Sequence, residues 1–173
     1  MAGRWASRVK AKGPLLAVGL VCVLLALALF GLFRTVRALD LVLQDELRGI
    51  SSACDVVRQA AQGDGPYDYE ELSRTFLASV SADLRALDHI AYQAPLYGDY
   101  ALNGMELFVM EMAAETDPAA QARNMEVICQ AAEELEQVKA QLESDYSFLT
   151  SRARREIVPH LQRIEQLCKG VTA

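Results

Sequence analysis

The two histidines are the first candidates for acid–base or metal chemistry in this chain. His89 and His160 fall in different predicted helices, and neither has a second histidine or a cysteine three or four residues away. The sequence also lacks an HExxH motif, a CxxC pair, a glycine-rich phosphate loop and a nucleophile elbow. We therefore expect no catalytic residue, no metal site and no cofactor, and a protein that is not an enzyme.

Two groups of glutamates are the remaining candidates for general acids. They are Glu133, Glu134 and Glu136 in one predicted helix, and Glu106, Glu111 and Glu115 in another. The first group lies on the polar side of a helix whose apolar face is otherwise complete, so a solvated face explains it. The second group interrupts an apolar helix, and solvent-facing positions explain it more simply than catalysis does.

Four cysteines are present, and Cys22 lies in an apolar block near the N-terminus. Cys54, Cys129 and Cys168 follow, and this odd number permits at most one bridge among them. Each adjoins or occupies an apolar helix face, where a free cysteine behaves as a small hydrophobic residue. We predict three buried thiols, with a disulfide between two of them as the alternative.

The apolar block is the clearest feature of the sequence. Residues 13–33 contain no charged side chain, and a helix of about 20 such residues spans the hydrocarbon of a bilayer. A cleaved signal peptide would be shorter, and cleavage after Ala28 would leave the apolar run 29–33 on the mature chain. A lipoprotein signal at Cys22 would need a small residue where Val21 stands. An uncleaved transmembrane helix is therefore the prediction, with these two as alternatives.

Charge predicts the orientation of this helix. Four basic residues, at positions 4, 8, 10 and 12, precede it, whereas Arg34 and Arg37 follow. Flanking Lys and Arg favour the cytoplasmic side, which places the N-terminus inside and the rest of the chain outside the cytoplasm. All 23 acidic residues follow the span with 13 basic ones, a net charge of −10. That balance argues against nucleic acid as a partner.

The residues after the span have a helical period. Beyond Arg34, apolar residues recur at a spacing of three and four, typical of one helix face and of coiled-coil seams: Val36, Leu39, Leu43, Leu47, Ile50, Cys54, Val57 and Ala61. The turn residues 63–66 end this run, and Asp68 with Glu71 forms a capping box for the next helix. Asp117-Pro118 begins a later helix, whereas Pro159 either kinks the last helix or begins it.

These patterns predict an all-α fold with three parts: a basic cytoplasmic tail (1–12), a transmembrane helix (13–33) and an extracytoplasmic bundle of four or five helices (34–173). We predict a loop over residues 93–104. The second outer helix would run back towards the bilayer and so place this loop near its surface. Its membrane-interface candidates are Leu96, Tyr97, Tyr100 and Leu102, because tyrosine favours such interfaces. Alternatively, these side chains close the end of the bundle.

Two sets of apolar residues are candidates for contact with a partner. Val36 and Leu39 lie one or two turns beyond the span, where the returning helices need not cover them. Met105, Phe108 and Met112 belong to a methionine-rich segment, and such segments adapt to varied partners when they are exposed. A core role for the second set is the alternative.

The layout of a basic tail, one span and outer helices is similar to that of bacterial division, secretion and envelope-assembly proteins, although no motif supports the likeness. We therefore expect an interaction or scaffold protein of a bacterial-type cell envelope that binds a protein partner or associates with itself. An extracytoplasmic ligand-binding or sensing module is the alternative. A closed apolar core would favour the scaffold, and a pocket with converging polar groups would favour sensing.

Overall fold

The computed structural model describes residues 3–63, 67–144 and 151–172, with the side chains of residues 17–63, 67–95, 97–142 and 155–172. Within these residues the secondary structure is helical and contains no strand, which confirms the all-α prediction. The α-helices are α1 (Gly3–Gln62), α2 (Tyr69–Gln93), α3 (Asn103–Ala114), α4 (Pro118–Ser144) and α5 (Ser151–Thr172), and a 3-10 helix (Pro95–Tyr100) follows α2. Positions 64–66 of the predicted turn lie outside the described residues.

The chain divides into two compact units, Met1–Ala38 and Leu39–Ala173. In the first unit, α1 begins at Gly3, ten residues before the predicted span. The large apolar side chains from Val18 to Phe33 are all exposed. Among the described residues, this N-terminal helix alone is long and apolar enough to cross a membrane, and a signal sequence has the same properties.

In the second unit, the remainder of α1 contributes one apolar face to the core. Its side chains Leu43, Leu47, Ile50, Cys54 and Val57 are buried, as the spacing of three and four predicted. Arg58 on the neighbouring face bonds Asp55 at 2.7 Å and Glu136 of α4 at 3.2 Å. The apolar period therefore positions α1 in the core, and the ion pair between Arg58 and Glu136 at its edge joins it to α4.

The start of α2 has the Asp68 half of the predicted capping box. Oδ1 of Asp68 accepts hydrogen bonds from the backbone N–H groups of Glu70 and Glu71, at 2.9 and 3.2 Å. These are two of the donors that a helix N-terminus leaves without an intrahelical partner. The helix ends at Gln93, close before Pro95, because the residue preceding a proline disfavours helical dihedrals. Its buried side chains include Phe76, Val80, Leu84, Leu87 and Ile90.

The third and fourth α-helices meet α2 through one hydrogen-bonded junction. The hydroxyl of Tyr69 donates to the carbonyl oxygen of Met112 at 3.1 Å and accepts from the side-chain amide of Asn124 at 3.0 Å. Asn124 is buried, and burying its amide without a hydrogen bond would be unfavourable. The Tyr69 hydroxyl supplies that hydrogen bond. The junction fixes α2, α3 and α4 at one end of the core.

The last two helices pack side by side. Asp117 caps α4 by accepting from the N–H groups of Ala119 and Ala120, and Pro118 is its first residue, as predicted. Pro159 lies inside α5, which settles its position as interior to one helix rather than at the start of another. The spacing of apolar residues after Pro118 also predicts Tyr146 and Leu149 for the apolar face of this helix, and both lie outside the described residues.

Candidate functional site

A groove between α4 and α5 has a volume of about 790 Å³. Its apolar lining comes from Val127, Leu167 and Val171, and Gly170 leaves room beside them. The polar lining comes from Gln130, Glu133, Glu134, Arg163 and Gln166. Proteins most often bind ligands or partners in concave surfaces that combine apolar contact area with a few polar groups, so this groove is the candidate site.

A Glu–His–Arg cluster contributes to the polar lining of the groove. Oε2 of Glu134 lies 2.5 Å from Nδ1 of His160, and Nη1 of Arg163 lies 3.3 Å from the same oxygen. The pairing joins α4 to α5, so Glu134 is not the solvated residue that its sequence neighbours suggested. A carboxylate beside an imidazole orients the ring, and this pairing holds two helices together without any reaction.

The other glutamates have structural partners or face solvent. Glu133, Glu136 and Glu111 are exposed, as expected of a solvated face. Glu106 pairs with Arg85 of α2 at 3.5 Å, and Glu115 accepts from the N–H groups of Thr116 and Asp117. Within the part of the chain that the structure describes, no group of His, Cys, Asp and Glu side chains could hold a metal ion.

Three of the four predicted membrane-interface residues lie inside the bundle. Tyr97, Tyr100 and Leu102 are each 1% exposed, and the ring centroids of the two tyrosines are 6.1 Å apart. Residues 95–100 form the 3-10 helix in place of the predicted open loop, and this helix turns both rings into the core. A packing role therefore replaces the expected interface role for these three residues. The Leu96 side chain is outside those described.

The predicted partner-contact residues are also largely covered. Met105, Phe108 and Met112 are buried, which agrees with the alternative prediction that this segment belongs to the core. Leu39 is partly buried and packs against the core of its unit, and Val36 is partly buried in the other unit. The outward face of α3 instead exposes Leu107 (50%) and Met110 (53%). The methionine-rich helix thus contributes to both the core and the surface.

Sequence reasoning missed the role of Glu165. Its Oε2 accepts from the N–H groups of Gly104 and Met105 at 2.6 and 3.1 Å, so a carboxylate of α5 caps the N-terminus of α3. The residue before α3 is Leu102, which has no side-chain cap. No signal in the sequence indicates this cap, because Asn103 beside Leu102 is itself a residue type that commonly caps a helix.

The cysteines of the bundle are free thiols. Burial, with a smaller contribution from Cys168, raises the pKa of the Cys54 thiol well above its usual range. Burial and then the nearby Glu165 raise the pKa of Cys168 to about 12. Cys129 is only half-buried, in contrast to the prediction, and burial raises its pKa although Arg58 opposes this. Thiols of this kind are poor nucleophiles at neutral pH.

Comparison of the chain with protein-family models, with curated proteins and with solved structures finds no match.

Proposed function

We propose that this chain is a single-pass membrane protein whose helical domain is a non-enzymatic interaction or scaffold component of a bacterial-type cell envelope. The observation that carries the proposal is the composition of the bundle interior. Its buried side chains are mostly apolar and form one cluster, and the buried polar side chains of Asp40 and Asn124 are hydrogen-bonded to tyrosines. Such a core supports a domain that binds through its surface.

The exposed apolar surface of the N-terminal part of α1 supports the proposed membrane anchor. Leu20, Leu25 and Phe30 are each more than half exposed, and they lie on different sides of the helix. Apolar side chains all around a helix are stable in a bilayer and unfavourable in water. The excess of basic residues before the span supports a cytoplasmic N-terminus and an extracytoplasmic bundle.

The contacts around His160 support a non-enzymatic role. Its ring nitrogen Nδ1 pairs with Glu134, which Arg163 also contacts, so the cluster has an evident function in joining α4 to α5. Catalysis by such a pair would require a nucleophile or a substrate group positioned against the ring. The buried cysteines have raised pKa values, which oppose a role as nucleophiles.

We further propose that the α4–α5 groove binds a helical segment of a different protein, with apolar side chains on one face and Lys or Arg beside them. Val127, Leu167 and Val171 would contact the apolar face, and the exposed carboxylate of Glu133 would contact a basic residue. The net charge of −10 beyond the span favours a basic partner, because two copies of this domain repel each other.

The volume of the α4–α5 groove favours one alternative function, the binding of a small molecule. About 790 Å³ lies within the range of roughly 300–1,000 Å³ typical of small-molecule sites. A module that binds a small extracytoplasmic ligand and signals through a partner is therefore the second candidate function.

Site-specific photocrosslinking in intact native membranes tests the proposal. A photoreactive amino acid replaces Gln166, which is exposed and lines the groove, and in a matched control it replaces Asp88, which is exposed on α2. We expect one discrete product heavier than the chain from the Gln166 position and none from the Asp88 position. Adding Glu133→Lys should abolish the product, because it places a positive charge against the basic partner.

Three outcomes contradict the proposal. Absence of a protein product at the Gln166 position rejects the groove as a protein-binding surface and leaves ligand binding as the better function. A product of twice the mass of the chain identifies the partner as a second copy. A product that persists with Glu133→Lys rejects the proposed charge complementarity.

A further inference from the structure

Two carboxyl groups meet between α1 and α2, away from the α4–α5 groove. Glu46 on α1 and Asp83 on α2 are both half-buried, and their side chains are hydrogen-bonded to each other. Gly49 lies one turn beyond Glu46 on the same helix. A Cβ atom at Gly49 would overlap Oδ2 of Asp83, so the absence of a side chain there is what lets Asp83 approach the backbone of α1.

This hydrogen bond requires a proton. An ionised carboxylate only accepts hydrogen bonds, so two carboxyl groups can bond each other only when one of them is protonated. With both ionised, the same geometry places two negative charges together in a partly dry site, which is unfavourable. The contact between α1 and α2 at this point is therefore attractive with one shared proton and repulsive without it.

The charged neighbours do not offset this repulsion. On α1, Asp45 adds a further negative charge beside Glu46, and Arg48 contacts Asp45 at 3.4 Å. On α2, Arg85 contacts Glu106 of α3 at 3.5 Å. Burial, the hydrogen bond to Asp83 and the charges of Asp83 and Asp45 all raise the pKa of Glu46 above its ordinary value of 4.5.

We propose that Glu46 and Asp83 form an acid-responsive latch that holds α1 against α2 when the pair takes up one proton and loosens that contact at neutral pH. The direction follows from linkage. A carboxyl group whose pKa is higher in the folded than in the unfolded state binds its proton more tightly when folded. Its contribution to stability is complete below the ordinary pKa and is lost as the pH rises through the raised pKa.

The test uses the full chain in detergent micelles, with the midpoint of thermal unfolding measured by circular dichroism at pH 5.0 and at pH 7.5. We expect the wild-type midpoint to fall between the lower and the higher pH. In Glu46→Gln, the amide donates to Asp83 at both pH values and so imitates the protonated latch. This variant should therefore lose a large part of the pH-dependent fall and be at least as stable as the wild type at pH 7.5.

Asp88→Asn is the matched control, because it removes one exposed negative charge from α2 outside the pair. It should retain the wild-type dependence on pH. The latch is wrong if Glu46→Gln retains the full wild-type difference between the two pH values, or if Asp88→Asn reduces that difference equally. The second result would assign the effect to net charge. Titration of the Glu46 side-chain carboxyl carbon by NMR gives a direct readout, and a midpoint at or below that of an ordinary glutamate would also overturn the latch.

Discussion

The hydroxyl of Tyr97 donates a hydrogen bond to Oδ1 of Asp40 at 2.7 Å, inside the core of the helical domain. Both residues are 1% exposed, and the bond joins the 3-10 helix to α1. A buried carboxyl oxygen requires a donor, and a buried phenol requires a partner for its hydroxyl. Each residue therefore makes the burial of the other possible, and the pair holds the short helix against the long one.

Removing this donor should destabilise the domain. Tyr97→Phe keeps the ring but removes the hydroxyl that donates to Asp40. We expect a loss of about 1–3 kcal/mol in the free energy of unfolding. Denaturant titration followed by circular dichroism measures it. Tyr92→Phe is the matched control, because it also removes a tyrosine hydroxyl but from a residue that is 86% exposed. Equal stability of Tyr97→Phe and the wild type would show that the bond contributes nothing.

Truncation of the cap on α3 should have a measurable cost. Glu165→Ala removes the acceptor for the N–H groups of Gly104 and Met105, and we expect a loss of about 0.5–2 kcal/mol, the range for helix N-caps. Glu165→Gln keeps a side-chain oxygen and should lose less. Hydrogen exchange of the first turn of α3 reports the change locally, and it should be unaltered in the control Gln166→Ala. Unchanged exchange in Glu165→Ala would contradict the cap.

Alkylation should distinguish the three cysteines of the domain. Cys129 is half-buried and should react first, whereas Cys54 and Cys168 should react only after denaturation. Their pKa values are raised by burial, so the reactive thiolate is scarce at pH 8 in the folded state and forms readily once they are exposed. Mass spectrometry with two alkylating reagents, without prior reduction, follows this order. A mass that indicates a Cys54–Cys129 or Cys129–Cys168 bridge would exclude three free thiols.

The extent to which a side chain of α1 is buried should determine how much stability its truncation to Ala removes. Ile50 is fully buried, and Ile50→Ala should cost about 2–5 kcal/mol through lost contacts and the cavity that remains. Val56 lies on the same helix with 59% of its surface exposed, so Val56→Ala should change the stability little. Chemical denaturation of the two variants compares them directly. Similar losses in both would place the apolar seam elsewhere on the helix.

Labelling with a membrane-impermeant thiol reagent tests the proposed topology. In a background without the native cysteines, Gly63→Cys should be labelled in intact cells, and Ser7→Cys should be labelled only after the membrane is opened. The reason is the excess of positive charge before the span, which favours a cytoplasmic N-terminus. The reverse pattern would overturn the proposed orientation.

The sequence by itself determined the helices and most of their ends. Asp68 and Asp117 cap the helices that follow them, and Leu47 and Ile50 are buried as the apolar spacing predicted. These features depend on residues within one or two turns of each other, because caps and amphipathic faces are local properties of a helix. The apolar block 13–33 is equally local, since its length and composition alone make it a candidate span.

Only the tertiary structure decided which side chains meet across helices. His160 pairs with Glu134, and Glu165 caps α3 from α5, at sequence separations of 26 and 61 residues. Helix α3 is apolar on nearly every side, so no period in its sequence distinguishes the buried Met105 from the exposed Met110. Contacts of this kind depend on how the helices cross, and crossing is set by the packing of whole faces rather than by any local pattern.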